Sequence, residues 1–221
     1  MNCPKCNYTL PGENINIQAN IGKCDSCGNV FSVSETINST INNAFNINNP
    51  PSGTWFRRDY NEVIIGASTR SAIAFFLVPF MLIWSGGSLG GIYGTQIING
   101  EFEVTSSLFG IPFLLGSLFF WGITVMAIWG KVEITMDRQG GNVFTGVGKI
   151  GLTKSFNWKH VSRVKEAPSK IGYPGSHGGK LVLDGADRIS FGTGLNENRR
   201  YYVMSALQKI LLNVRLGKNL V

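Results

Sequence analysis

From Ser71 to Gly100 the chain carries no charged side chain, and from Leu108 to Trp129 it again carries none. Within the first run, residues 72–84 are almost wholly apolar, and a helix needs roughly 20 such residues to cross a bilayer core. Two transmembrane helices are therefore expected, at about 71–93 and 108–129, as a hairpin over residues 71–130. Pro79 and Pro112 do not oppose this, because neighbouring helices and local readjustment satisfy the backbone groups that proline frees. The competing reading, a buried helix of a soluble core, usually brings a shorter run with a polar stripe.

A two-helix hairpin returns both chain ends to one side. The connector, about 95–107, holds Glu101 and Glu103 and no Lys or Arg, whereas Arg57, Arg58 and Arg70 precede the first run and Lys131 follows the second. The positive-inside rule then places the connector outside and both termini in the cytoplasm, in the inner (plasma) membrane of a cell. No cleavable signal pattern is visible over residues 1–30. The first helix includes overlapping small-xxx-small spacings over residues 85–94. Close packing against the second helix near Gly116 and Gly122 is the preferred explanation, with a homodimer through the glycine-rich face as the alternative.

The four cysteines form two pairs, Cys3-Pro4-Lys5-Cys6 and Cys24-Asp25-Ser26-Cys27. Two such knuckles brought together by a hairpin supply the tetrahedral thiolate set that zinc prefers, so Cys3, Cys6, Cys24 and Cys27 are the expected ligands of a structural Zn2+. Residues 7 to 23, seventeen in all, leave room for two short strands and a turn. Asn7 and Gly28, each following a knuckle, are residue types that accept a left-handed backbone. A redox-active pair is the alternative, but such a pair normally opens a helix, and these flanks read as strand and turn. Four thiolates also leave no open position for substrate, which argues against catalytic zinc. Residues 2–33 resemble the short zinc ribbon found at the N-terminus of many bacterial membrane proteins.

Residues 1–35 thus form the ribbon, and the asparagine-rich stretch 36–53 has the composition of a flexible linker. Beyond the hairpin the pattern turns to alternation of period two, with strands expected at 132–136, 142–148, 152–157, 160–166, 180–184 and 187–191. A last helix, 196–213, starts at Asn196 as N-cap and places Tyr202, Ala206, Leu207, Ile210 and Leu211 on one face. Strand-like residues at 54–57 and 62–65, within 54–70, are expected to join the later strands. The fold class is then a multidomain membrane protein: an N-terminal zinc ribbon and a two-helix transmembrane hairpin inserted in a mostly antiparallel β domain (131–221) closed by a C-terminal helix. By order of elements this β domain resembles a pleckstrin-homology-like barrel, and the whole chain resembles uncharacterised two-span bacterial membrane proteins whose hairpin interrupts a β domain.

No constellation for chemistry accompanies the metal site, so no enzyme is expected. His160 reads as a surface or packing residue. His177 lies in a glycine-rich hairpin loop that lacks the Walker spacing, since Pro174 and Leu181 stand where that pattern needs Gly and Ser or Thr. The net charge of +7 comes from the last third, where residues 131–221 hold fifteen basic and six acidic side chains. An anionic inner leaflet suits that face. Nucleic acid is the alternative partner, through the basic residues of 149–170, although the ribbon lacks interleaved aromatics for stacking. The leading expectation is a non-enzymatic, membrane-anchored interaction protein that binds a protein or a lipid surface.

Overall fold

The computed structural model describes residues 1–33, 36, 45–169 and 179–220. Residues 37–44 of the expected linker and residues 170–178, with His177, lie outside the described residues. The chain divides into two compact units, Met1–Ile47 and Asn48–Val221.

In the first unit, β1 (Ile15–Asn16), β2 (Ile21–Lys23) and β3 (Val30–Ser32) form an antiparallel sheet in that order. The β1–β2 turn carries Asn20 at φ 57°, the left-handed region that asparagine tolerates.

In the second unit, β4 (Thr54–Arg58) and β5 (Val63–Ser68) pair with each other, and β5 pairs with β6 (Gly130–Met136). Ser68 stands opposite Lys131, so the chain leaves the sheet at β5 and returns to the neighbouring strand after the two apolar helices. β7 (Gly140–Val147) and β8 (Ile150–Asn157) complete a five-stranded antiparallel sheet, β4-β5-β6-β7-β8. β9 (Val161–Pro168), β10 (Gly179–Gly185) and β11 (Ile189–Phe191) form a second sheet in the order β11-β10-β9.

The apolar helices are α1 (Ala74–Asn99) and α2 (Val104–Trp129), and each is long and apolar enough to cross a membrane. α1 runs further than the hydropathy of residues 71–93 indicates, passing through a π-helical turn at Gly90–Gly94 into Thr95–Asn99. α2 starts at Val104, four residues before the expected 108. The connector shrinks accordingly to residues 100–103. Polar residues too few to stop a helix explain the extension of α1: Thr95 Oγ1 donates to the Gly91 carbonyl and Gln96 Nε2 to the Ile92 carbonyl, so they bond within the helix. α1 ends only at Gly100, whose φ of 67° gives a left-handed cap.

α1 and α2 do not meet through the expected glycines. A Cβ at Gly86, Gly87, Gly90, Gly91, Gly94, Gly116 or Gly122 would meet no atom within 4 Å. Larger groups hold the pair. Tyr93 lies over Gly110 and donates its hydroxyl to the Ser107 carbonyl at 2.8 Å, Trp84 packs on Phe113, and Trp121 Nε1 donates to Ser85 Oγ at 3.3 Å. Aromatic side chains make these contacts.

The last carbonyls of α2 would be orphaned at a helix end. The segment entering α1 satisfies them: Thr69 Oγ1 donates to Met126 O at 2.7 Å, Ser71 N to Ala127 O and Arg70 Nε to Ile128 O, both at 3.0 Å. Arg70 also places a positive charge at the negative end of the helix dipole.

α3 (Glu197–Arg215) starts as expected, with the Asn196 side chain accepting from Arg199 N at 3.0 Å. Its buried face, Tyr202, Val203, Ala206, Leu207, Ile210 and Leu211, packs against β5, β9 and β10. The opposing strands contribute Ile65, Leu181 and Leu183, all fully buried, and the neighbouring β6 adds Ile134. Alternation along β6 buries Val132, Ile134 and Met136 while Lys131, Glu133 and Thr135 stay partly exposed, the period of a sheet with one dry face.

Candidate metal centre

Each cysteine pair folds by the same set of backbone bonds. Cys3 N donates to Tyr8 O and Asn7 N to Cys3 O; Cys24 N donates to Asn29 O and Gly28 N to Cys24 O. The residue four places after the first cysteine closes the turn in both, with φ of 60° at Asn7 and 65° at Gly28. Only asparagine, aspartate and glycine enter that region at low cost, so the two loops are near-copies made by equivalent residues.

The β1–β2–β3 sheet brings the knuckles together. All four Sγ atoms lie within 4.8 Å of one another, with Cys3–Cys27 at 3.7 Å and Cys6–Cys24 at 3.6 Å. A tetrahedron of sulfurs about 2.3 Å from a central ion has edges of about 3.8 Å. A disulfide would need about 2.05 Å. The four thiols can therefore hold a metal ion. Lys5 N points at Cys3 Sγ, 3.4 Å away, a donor that favours thiolate.

The thiols resist joint ionisation when no cation is present. Burial opposes the Cys3 thiolate, but backbone N–H groups of Cys6 and Lys5 and the facing thiols outweigh it and lower Cys3 to about 6. At Cys27 the Asn29 N–H favours the thiolate, yet burial and the thiols of Cys6, Cys3 and Cys24 outweigh it and raise Cys27 to about 12. A divalent cation reverses this by drawing all four charges inward.

Cys3 and Cys24 are buried, Cys27 is half-buried and Cys6 is exposed. Against the buried cysteines Leu10 is buried as well, with Ile15 and Phe31 packed alongside. Local periodicity does not single out Leu10 and Phe31. Their signal is that each stands four residues after the second cysteine of its knuckle.

His160 is exposed and its Nδ1 pairs with Asp187 Oδ2 at 2.9 Å. Within 149–170, Arg163 and Lys165 are both drawn onto Asp184, at 2.9 and 2.7 Å, and Lys154 Nζ donates to Ser190 O. These contacts hold part of the basic run against its own sheet. No protein-family model and no curated protein matches this chain.

Proposed function

We propose that this is a non-enzymatic integral membrane protein of two spans whose N-terminal zinc ribbon presents a surface to a protein partner in the cytoplasm. The exposure of the apolar helices carries the reading. Phe75 is 87 % exposed, Ile83 78 % and Phe119 66 %, whereas a core helix of a soluble protein would bury such groups. A lipid environment removes that cost.

Charge supports the orientation. Arg70 and Lys131 flank the hairpin where it meets the sheet, and Glu101 and Glu103 lie in the connector, a distribution that by the positive-inside rule supports a cytoplasmic β domain and cytoplasmic termini. Sulfur-only donors at tetrahedral spacing favour zinc over oxygen-seeking cations. Bound there, zinc would supply the folding free energy that three packed apolar side chains cannot. The order of a five-stranded sheet, a three-stranded sheet and one closing helix supports the pleckstrin-homology-like reading of the β domain.

The test is alkaline extraction of membranes combined with reporters fused after Glu101 and at the C-terminus. Retention in the pellet, an external Glu101 reporter and a cytoplasmic C-terminal reporter are expected. Release by carbonate, or reporters on the same side, refutes the arrangement.

A further inference from the structure

The inner face of β8 changes character along its length. Ile150, Leu152, Lys154 and Phe156 alternate onto one side of the strand. Phe156 is buried and stacks edge-on against Trp158, but Leu152 is 74 % exposed and Ile150 85 % exposed. Their cross-strand partners Thr145 and Val147 belong to the face that buries Val143 and Val132 in the core. Core-type positions thus run out from under their protein cover toward one end of the sheet.

Register fixes which end that is. Gly130, where α2 passes into β6, stands opposite Val147, and Val147 stands opposite Ile150. Two strand spacings of about 4.8 Å put Ile150 on the same row as the end of the second span, roughly 10 Å to its side. Leu152 lies one pleat repeat behind. α2 also lies against β7. Trp129, the last residue of α2, is 57 % exposed, the position and residue type that mark a headgroup boundary. Lys149 occupies the β7–β8 turn beside Ile150 and is exposed, and Lys131 follows Gly130.

We propose that the β7–β8 hairpin tip is a lipid contact: Ile150 and Leu152 enter the headgroup and acyl boundary of the membrane that α1 and α2 cross, and Lys149 meets anionic phosphates. The inference rests on the two-span reading. It follows from placement at the level where the chain leaves the bilayer, from apolar groups stripped of protein cover, and from a neighbouring cation of the sign that anionic lipid attracts. A long exposed apolar edge in water would invite pairing with other strands. The membrane covers this one.

The experiment places a photoactivated crosslinking residue at 150, at 118 within α2, or at 60, in the full chain reconstituted into phosphatidylcholine vesicles containing phosphatidylglycerol. Tyr60 is 98 % exposed in the β4–β5 turn, at the opposite end of the sheet. Lipid adducts are expected at 118 and at 150, the latter at about tenfold the yield at 60, the bias that burial of one isoleucine side chain produces. Adducts at 118 but only the background of 60 at 150 overturn the proposal and leave the spans intact. No adduct at 118 overturns the spans, and the hairpin contact with them. Crosslinks from 150 to a second copy of the chain also overturn it.

Discussion

Arg199, in the first turn of α3, joins three parts of the chain that are remote in sequence. Its Nε donates to the Ser52 carbonyl at 3.2 Å, and its Nη1 donates to the carbonyls of Ser68 at 2.8 Å and Arg70 at 3.0 Å. Those carbonyls belong to the approach to β4 and to the exit from β5 into α1. Hydrogen bonds to a charged donor contribute about 1.5–3 kcal/mol each when buried. This guanidinium is only partly buried, so about 1 kcal/mol each is appropriate, and Arg199→Ala should cost about 3 kcal/mol. Arg199→Lys keeps the charge but replaces a planar fork by a single point donor, and should recover about a third of the loss. For a chain of this size, about 3 kcal/mol corresponds to a fall in Tm of about 6–12 °C. The assay is thermal unfolding in detergent micelles followed by tryptophan fluorescence, with limited proteolysis between β5 and α1 as a local readout. Gly53 gives an independent check. It has φ 80°, and a Cβ there would lie 2.5 Å from the Arg199 guanidinium. Gly53→Ala should therefore displace Arg199, and the double variant should lose less than the sum of the singles. Equal stability of Arg199→Ala and wild type, or strict additivity with Gly53→Ala, refutes the clamp.

The paired change Cys24→Ser, Cys27→Ser should abolish metal binding, measured as one zinc per wild-type chain by elemental analysis and none in the variant. It should also unfold the ribbon, since structural zinc contributes about 10–16 kcal/mol in such modules. In crosslinking within intact cells followed by purification through the C-terminus, a protein partner should be captured by wild type and lost in that variant; recovery of nucleic acid instead would replace the protein-partner reading. Gly66→Val should cost about 1–3 kcal/mol through overpacking, because the Trp55 ring lies 2.0 Å from where a Cβ would stand. A shifted Trp55 emission reports it, and an unchanged Tm with unchanged emission refutes the packing. Asp184 is held below the usual carboxylate range by hydrogen bonds from Lys165 and Arg163. Because its folded pKa is depressed, its contribution is present above the unfolded value of 3.8 and is lost as pH falls through the folded one. Asp184→Asn should flatten the acid limb of a stability profile below pH 3.8, and an unaltered limb refutes the assignment.

Residues read along the chain determine a good deal here. Charge-free runs of this length specify helices long and apolar enough to cross a membrane, because a helix satisfies its backbone groups within the segment. The two cysteine pairs, each followed by a left-handed residue, specify a knuckle locally, and the four sulfurs do converge. Asn196 and the apolar face of α3 were equally legible, since capping and a 3.6-residue period are local properties. What needed the tertiary structure was every relation between distant segments. Glycine spacing in α1 suggests packing through small residues, yet Tyr93, Trp84 and Trp121 make the contacts, because which side chains meet depends on how the two helices are turned toward each other. Local pattern also cannot show that Thr69, Arg70 and Ser71 cap the end of α2, or that Arg199 ties β4, β5 and α1 together: those partners lie far apart in sequence and meet only after the sheet has closed around the inserted hairpin. The exposure of Ile150 and Leu152 is of the same kind. The expected strand at 152–157 leaves Ile150 out and does not say which way Leu152 faces; register with β7 puts both on the inner face, and what covers that face depends on where the second sheet ends.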